Sequence, residues 1–160
     1  MDEIQGYPDQ GLEDFKGFWS LTSNPGGIFF SVYQNGPDQA NIGPGVRLTY
    51  NFEESNVGNC LEASSGTFTA PVTGHYVFEF SAITGNLKVY SSTNVYKNGI
   101  FDREIYDQSL ADLANVNHVW GMYLVKNDQV HLQQDHGSLW NNANRFKITW
   151  SGQLLLQTEF

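Results

Sequence analysis

The sequence predicts an all-β fold, an antiparallel β-sandwich of about ten short strands. Apolar and polar residues alternate in short segments, and turn-forming residues separate these segments roughly every 8–12 positions. No segment shows a sustained helical period. The chain of 160 residues contains 11 Phe, 8 Tyr and 4 Trp, and only 16% of its residues are charged. This composition favours strands and a single domain that can bury a sizeable core.

The first strands follow a segment without periodicity. Residues 1–26 are acidic and end in a run of Ser, Asn, Pro and Gly, so we interpret them as a tail or linker. Residues 27–160 are then the head domain. Its first strand is predicted at 27–34 and its second at 46–52, where apolar residues recur between turn signals.

The segment that follows has two distinct faces. Tyr76, Phe78 and Phe80 fall on one side of a strand, which predicts that they lie in the core. Phe68 ends the preceding strand and is expected to meet them there. Gly74 begins the aromatic strand, and we expect it to adopt a positive φ in the turn before it.

Two hairpins are predicted in the second half of the chain. Asn98-Gly99 is a strong two-residue turn signal between strands at 87–96 and 100–106. A second turn, at 126–129, is expected to join strands at 119–125 and 130–133. The last strand is predicted at 146–156.

Either face of the strand predicted at 119–125 could pack against the core, because both sets of alternating residues are largely apolar. We assign one set of alternating residues to the core and the other set to an exposed apolar face that a neighbouring subunit would cover. The predicted core set is Val119, Tyr123 and Val125. The predicted exposed set is Trp120, Met122 and Leu124, together with Val77.

A family resemblance lies in the spacing of seven positions, which are Asn56, Leu61, Phe68, Gly74, Tyr76, Phe78 and Phe80. The pattern resembles the signature of the globular head domain of the complement C1q/tumour necrosis factor superfamily. Tyr50 stands where that signature usually has Phe. The final aromatic-Ser-Gly and apolar run at 150–156 is also similar. The resemblance covers roughly residues 27–157 and implies a ten-stranded antiparallel jelly-roll β-sandwich.

Charge and cysteine content exclude several functions. A formal net charge of −9 argues against nucleic acid, heparin-like polyanions and acidic membrane surfaces as main partners and is compatible with cations. Cys60 is the only cysteine, so it is either a buried thiol or an intermolecular bridge. No apolar segment follows Met1 or approaches a membrane-spanning length. The chain therefore begins either as a cytosolic protein would or as a secreted protein without its signal peptide. The resemblance implies the second, a secreted, extracellular protein whose signal peptide is not present in this chain.

Catalytic motifs are absent from the sequence, and we predict that the protein is not an enzyme. Of the four histidines, His118 and His136 are placed to approach each other across the second predicted hairpin. Asp135 alternates to the opposite face from His136, so a histidine metal site lacks a third ligand and is not expected.

The loop after residue 106 contains a candidate metal site. Asp107, Gln108 and Asp112 place two carboxylates and an amide within six residues, and such oxygen groups are the ligands that Ca²⁺ prefers. The resemblance implies the same, because calcium-binding members of the family have an Asp-Gln and a later Asp in this loop, near the trimer axis. Asp112 stands slightly closer than the family spacing. The alternative is a solvated polar loop.

The resemblance implies a homotrimeric recognition module of innate immunity that binds carbohydrate or microbial surface ligands, as a lectin does. Three sites on one rigid trimer would gain avidity. Tyr90, Tyr96 and Trp140 are the candidate ligand-binding residues, because aromatic rings stack on sugar rings. The same rings serve as hot spots in protein interfaces. The alternative is therefore a receptor-binding adhesion or signalling module, of the cerebellin-like or cytokine-like kind.

Overall fold

The computed structural model describes residues 27–36, 40–85, 89–108, 113–142 and 147–159, and the predicted tail of residues 1–26 lies outside them. Within these residues the chain forms twelve strands and no helix. The strands are β1 (Phe29–Gln34), β2 (Ala40–Ile42), β3 (Phe52–Val57), β4 (Leu61–Glu62), β5 (Thr67–Thr69), β6 (Gly74–Thr84), β7 (Ser91–Lys97), β8 (Ile100–Asp107), β9 (Asn115–Leu124), β10 (Gln129–His136), β11 (Leu139–Asn141) and β12 (Ile148–Gln157). None of the described residues belongs to a helix long and apolar enough to cross a membrane.

Two antiparallel sheets face each other. The seven-stranded sheet has the order β2-β11-β6-β12-β1-β3, and β9 also pairs with β6. The five-stranded sheet has the order β4-β5-β10-β7-β8. The two-faced strand predicted around residues 74–80 is β6, which pairs with β9 from Gly74 to Ile83. The central position of β6 explains why its alternation is so regular: one face is buried and the other is not.

The core between the sheets is aromatic. Phe78 is fully buried, and its ring lies 5.2 Å from Phe68, 5.5 Å from Trp120 and 5.9 Å from Trp150. Phe68 belongs to the five-stranded sheet, so this cluster joins the two layers. Tyr76 and Phe80 are also fully buried. The prediction that Phe68 meets the aromatic residues of β6 in one core is therefore confirmed.

The face assignment of β9 is wrong in the sequence analysis. Antiparallel pairing places Trp120 opposite Phe78 and Met122 opposite Tyr76, and directly opposed residues share a face. Trp120 is 4% exposed, whereas Val119, predicted to be core, is 61% exposed. Tyr123 and Val125 also lie outside, and Met122 and Leu124 lie inside. Both alternating sets are apolar, so only the register with β6 distinguishes them.

The second predicted hairpin is also wrong. β9 pairs with β6 in one sheet, whereas β10 pairs with β5 and β7 in the other, so residues 125–128 connect the two layers. Residues 70–73 make a second connection between the sheets, from β5 to β6, and hydrogen bonds join the two connections. Asn127 N donates to Ala70 O (2.8 Å) and Lys126 N donates to Thr73 Oγ1 (3.0 Å). A turn signal alone cannot distinguish a hairpin within one sheet from a connection between two sheets.

The Asn98-Gly99 hairpin is confirmed. β7 and β8 pair up to Lys97 and Ile100, and the two turn residues have φ of 52° and 76°. Positive φ at both positions is the type I′ geometry that fits the strand twist.

The second predicted strand starts later than expected. Residues 46–52 are mostly irregular, and β3 begins at Phe52. Leu48 and Tyr50 are nevertheless buried, and Leu48 N donates to Leu132 O at 2.9 Å, so this segment extends the five-stranded sheet beside β10. The apolar alternation of residues 46–52 therefore indicated the burial of Leu48 and Tyr50 correctly. The strand pairing of this segment, however, consists of one described bridge, between Arg47 and Gln133.

Close packing against β12 explains why residue 74 is a glycine. Gly74 does not have the positive φ that was predicted. A Cβ at this position would instead collide with the carbonyl oxygen of Leu156 on β12.

Cys60 is a free thiol with 2% exposure. Burial raises the pKa of this thiol to about 11, so it is protonated and unreactive near neutral pH.

Candidate binding surface

The outer surface of the five-stranded sheet is the candidate site, and we call it the aromatic face. Along β7, Thr93 and Val95 face the core, where they are 1% and 0% exposed. Alternation therefore turns the intervening residues outward. The outward residues of β7, β8 and β10 that define the aromatic face, with Tyr90 just before β7, are Tyr90, Ser92, Asn94, Tyr96, Phe101, Glu104, Tyr106, His131, Gln133 and His136.

A first aromatic stack lies at one end of this face. The Tyr96 and His131 rings are parallel within 4° and their centroids are 4.9 Å apart. The Phe101 ring stands nearly perpendicular to Tyr96, at 6.4 Å. Cross-strand pairing of Tyr96 with His131 on β10 and with Phe101 on β8 produces this arrangement.

A second stack lies at the other end, about 20 Å away along the strand. The Tyr90 ring stacks on His136 at 4.8 Å and contacts Tyr106 at 5.3 Å. The pairing of β10 with β7 shifts between Gln134 and His136, and this bulge turns His136 to the outside together with its neighbour. His136 Nδ1 lies 3.3 Å from Asp135 Oδ2, so the prediction that these side chains lie on opposite faces is wrong.

Two buried polar atoms lie between the stacks. Ser92 is 1% exposed and Asn94 is 8% exposed, although both point to the outer side of the sheet. Ser92 Oγ and Asn94 Oδ1 have no hydrogen-bond partner among the described residues. Leaving such a group unpaired costs about 1–3 kcal/mol, which favours a partner from outside the chain. The surface thus combines aromatic planes with unused polar groups.

Electrostatics keep the first stack uncharged. Burial of the imidazole, together with the positive charge of Arg47 nearby, holds the pKa of His131 below its usual range. His131 is therefore neutral near pH 7, and its ring stacks on Tyr96 as an uncharged plane. Arg47 is a cationic group on this part of the surface.

The predicted calcium ligands lie at the end of β8. Asp107 is half-buried and is the last residue of that strand, where its backbone pairs with Ser91. Gln108 follows it and is exposed, and Asp112 lies outside the described residues. No group of three or more His, Cys, Asp or Glu side chains suited to a metal occurs in the described part of the chain. His118 and His136 belong to different sheets, so the predicted approach across a hairpin is wrong.

The three predicted ligand-binding residues do not form one site. Tyr90 and Tyr96 both lie on the aromatic face, at its two ends. Trp140 is half-buried on β11 of the other sheet. Sequence reasoning missed the histidine partners, His131 and His136. The signal for His131 was present in the alternation of β10, because Val130 and Leu132 flank it and are buried. Alternation gives no such signal for His136, which the bulge after Gln134 turns outward.

The outer surface of the seven-stranded sheet differs sharply, and we call it the apolar face. Val119 is 61% exposed, and Phe29 and Tyr123 are exposed as well. Leu156 pairs with His75, whose ring lies 5.2 Å from Tyr123. A depression of about 160 Å³ lies between Phe29 and Val119 on this face. Such a group of apolar side chains is typical of a surface that another protein covers.

Comparison with known sequences identifies related proteins. A family model described as "C1q domain" matches residues 29–155. Complement C1q tumor necrosis factor-related protein 3 of Homo sapiens is 31% identical over 116 residues, which are 70% of this chain and 46% of that protein. Caprin-2 of Danio rerio is 29% identical over 126 residues, covering 74% of this chain and 13% of that protein. The chain spans less than half the length of these curated relatives.

Comparison with solved structures shows the fold. The globular domain of the zebrafish complement 1qA protein aligns with a TM-score of 0.66 at 20% identity, over 82% of this chain and 99% of that chain. Eiger TNF from S. frugiperda aligns with a TM-score of 0.65 at 11% identity, over 84% and 96%. These alignments confirm the predicted jelly-roll sandwich, although the described residues form twelve strands rather than about ten.

Proposed function

The chain belongs to the C1q domain family, and we propose that it is a homotrimeric, extracellular recognition module that binds glycans through the aromatic face. Domains of this family are generally non-enzymatic and bind ligands or receptors. The role in innate immunity, as a lectin for microbial surface carbohydrate, belongs to the same proposal. The aromatic face and the apolar face support the glycan-binding and assembly parts of this proposal.

The observation that carries the proposal is the pair of aromatic stacks with polar atoms between them. The CH groups of a pyranose ring pack well against an aromatic plane that solvent reaches. Tyr90, Tyr96 and His131 are half-buried and His136 is exposed, so the Tyr96–His131 and Tyr90–His136 stacks supply two partly open planes. Sugar hydroxyls both donate and accept hydrogen bonds. They match the unpartnered Ser92 Oγ and Asn94 Oδ1, which local side-chain movement would bring into reach.

The test is a glycan array on the purified wild-type protein, repeated with Tyr96→Ala and Tyr90→Ala. We expect a limited set of glycans to bind and each substitution to weaken that binding by about tenfold, the effect of removing one hot-spot aromatic group. The matched control is Phe52→Ala, which removes an exposed aromatic ring from β3 of the other sheet. Equal binding by all four proteins, or no glycan binding at all, contradicts the proposal.

A second candidate function is receptor binding through the tip of the β7–β8 hairpin. Ile100 is 73% exposed and Phe101 is 54% exposed, so this tip presents apolar side chains to the solvent. Exposed apolar side chains on a protruding hairpin are typical of protein contacts. Nanomolar binding to one receptor ectodomain, abolished by Ile100→Ser and accompanied by no glycan signal, would favour this function over the first.

The trimer is proposed to form through the apolar face. Val119, Tyr123 and Phe29 are apolar or aromatic side chains that gain free energy when a second copy covers them. Three subunits around one axis would cover this face on each subunit and leave the three aromatic faces on the outside of the assembly. Three weak glycan sites on one rigid body would then act with avidity.

Calcium is proposed as the cofactor of this trimer. Asp107 and Gln108 would supply oxygen ligands at the end of β8, and Asp112 would complete the set. We expect excess EGTA to lower the melting temperature of the wild-type protein and to leave that of Asp107→Ala unchanged. Asp102→Ala, which removes a carboxylate from the same strand, is the control and should respond to EGTA as wild type does. Identical melting of the wild type with and without calcium contradicts this part of the proposal.

A further inference from the structure

A polar cleft opens beside the aromatic face, where β4, β5 and β10 meet. Its volume is about 470 Å³, and Arg47, Thr67, Thr69 and Gln129 line it. Thr67 and Thr69 flank the fully buried Phe68, so alternation turns both hydroxyl groups outward. Arg47 lies in the segment that continues the sheet beside β10, and it points outward next to buried Leu48.

A chain of hydrogen bonds holds Arg47 in place. Its Nη2 donates to Thr67 Oγ1 at 2.6 Å, and the Ser65 hydroxyl lies 2.9 Å from that oxygen and 2.5 Å from Glu62 Oε2. This contact uses one of the five N–H donors of the guanidinium. A held guanidinium loses less conformational entropy when it binds a ligand than a free surface arginine does. The remaining donors suit a planar, bidentate acceptor.

The charge of the cleft defines the ligand more closely. Arg47 and Glu62 both line the cleft, so their formal charges sum to zero, and Glu62 would repel a phosphate dianion. A single carboxylate suits the fork of the guanidinium better, because its two oxygens match two parallel N–H donors. His131 follows Gln129 by two residues on the outer side of β10, so the Tyr96–His131 stack adjoins the cleft.

We propose that this cleft binds an acidic sugar, a hexuronic acid, with Arg47 holding the carboxylate. Thr69 and Gln129 supply side-chain groups for the ring hydroxyls, and the neighbouring stack provides an apolar plane for the ring or for the next sugar along a chain. The inference rests on the proposed glycan-binding function and narrows it to carboxylated sugars. It makes Arg47 the residue that determines specificity.

The test is a titration followed by NMR, with methyl β-glucuronide, methyl β-glucoside and acetate as probes. We expect the glucuronide to shift the backbone amides of Thr67, Thr69 and Gln129, and to bind about tenfold more tightly than either other probe. Arg47→Gln should remove this preference, and Arg47→Lys, which keeps the charge but loses the fork, should retain only part of it. The control is Arg103→Gln, since Arg103 is paired with Asp102 at 2.6 Å on β8.

The outcomes separate this inference from the function on which it rests. Equal binding of glucuronide and glucoside, unchanged in Arg47→Gln, overturns the assignment of the cleft and leaves neutral-glycan binding to be judged by the array. Acetate binding as tightly as the glucuronide also overturns it, because the ring then contributes nothing. Loss of binding in Arg103→Gln as well as in Arg47→Gln contradicts a specific role for Arg47.

Discussion

The buried hydroxyl group of Tyr50 has an energetic consequence. The Tyr50 ring packs 5.9 Å from Trp150, but its hydroxyl is buried without a hydrogen-bond partner among the described residues. Burial raises the pKa of this phenol, so the group is neutral as well as unpaired. An unpaired buried hydroxyl costs about 1–3 kcal/mol relative to its hydrated state.

We therefore predict that Tyr50→Phe raises the free energy of unfolding by about 1 kcal/mol, because it removes the hydroxyl and keeps the ring. The measurement is urea unfolding, in which the midpoint should rise at an unchanged slope. Tyr76→Phe is the matched control. The Tyr76 hydroxyl donates to Val72 O at 2.7 Å, so this variant should be less stable by a similar amount. Destabilisation of both variants would show that Tyr50 has a partner.

Gly74 gives a second prediction for a single residue. A methyl group at this position meets the Leu156 carbonyl and the Leu154 side chain, so Gly74→Ala should destabilise the domain by about 3 kcal/mol or more. Gly121→Ala is the control on the neighbouring strand, because the nearest atom to its new methyl group is Tyr76 O at 3.8 Å. Thermal unfolding of the two variants measures the difference. Equal stability would mean that β12 moves aside at little cost.

At the scale of strands, the sequence predicts alternation well and register poorly. The burial of Tyr76, Phe78 and Phe80 follows from period-2 alternation with polar neighbours. The faces of β9 do not follow, because Trp120 and Val119 are both large and apolar. Register depends on pairing with β6, which lies more than 30 residues earlier in the chain, and no local pattern encodes it.

The same limit applies to the aromatic face. Tyr90 and Tyr96 are predictable because tyrosines that alternate with small or apolar residues in and beside a strand are recognisable in the sequence. Their stacking on His136 and His131 was not, since those histidines belong to β10, and β10 was assigned to a hairpin with β9. Arg47 reaches this surface only because its segment joins the five-stranded sheet through one bridge to Gln133. Sites built across strands need the strand order before they can be predicted.

Asp128 connects two turns, and its substitution gives a prediction at the scale of elements. Its carboxylate lies 2.9 Å from Lys97 Nζ and accepts hydrogen bonds from Asn98 Nδ2 (2.8 Å) and Val125 N (2.9 Å). Burial alone would raise the pKa of Asp128, but these hydrogen bonds and the Lys97 charge hold it below its usual range. A lowered pKa means that the stabilisation is present above about pH 4 and is lost as the pH falls through the native pKa.

We expect Asp128→Asn to lower the free energy of unfolding by about 1 kcal/mol at pH 7, where a charged acceptor is lost. The difference from wild type should shrink as the pH falls below about 4, because Asp128 is protonated first in the unfolded chain and then, at lower pH, in the native protein. Unfolding curves from pH 2 to 7 measure it. Asp135→Asn is the control, since the Asp135 carboxylate is half-exposed and lies 3.3 Å from exposed His136, so its loss should change stability very little. A difference that stays constant down to pH 2 would contradict the ionic role.

The whole molecule has two outer surfaces with opposite chemistry. The apolar face presents Val119, Tyr123 and Phe29, whereas the aromatic face combines rings with unpaired polar atoms. An assembly that buries the first and exposes the second gives each surface the environment that suits it. Three chains together carry a formal charge of 3 × −9 = −27, so apolar burial has to exceed a like-charge repulsion that salt screens.

The last prediction concerns this assembly. Val119→Glu places a second carboxylate on the apolar face, opposite Glu79, where a close partner subunit would desolvate it. We therefore expect a folded monomer at micromolar concentration. The control is Val46→Glu, which changes a residue of 47% exposure on the segment beside the five-stranded sheet and should leave the trimer intact. Light scattering measures the mass, and thermal unfolding verifies that each variant is folded. A Val119→Glu protein that remains trimeric would assign the contact to another surface, and a monomeric wild type would rule out the trimer itself.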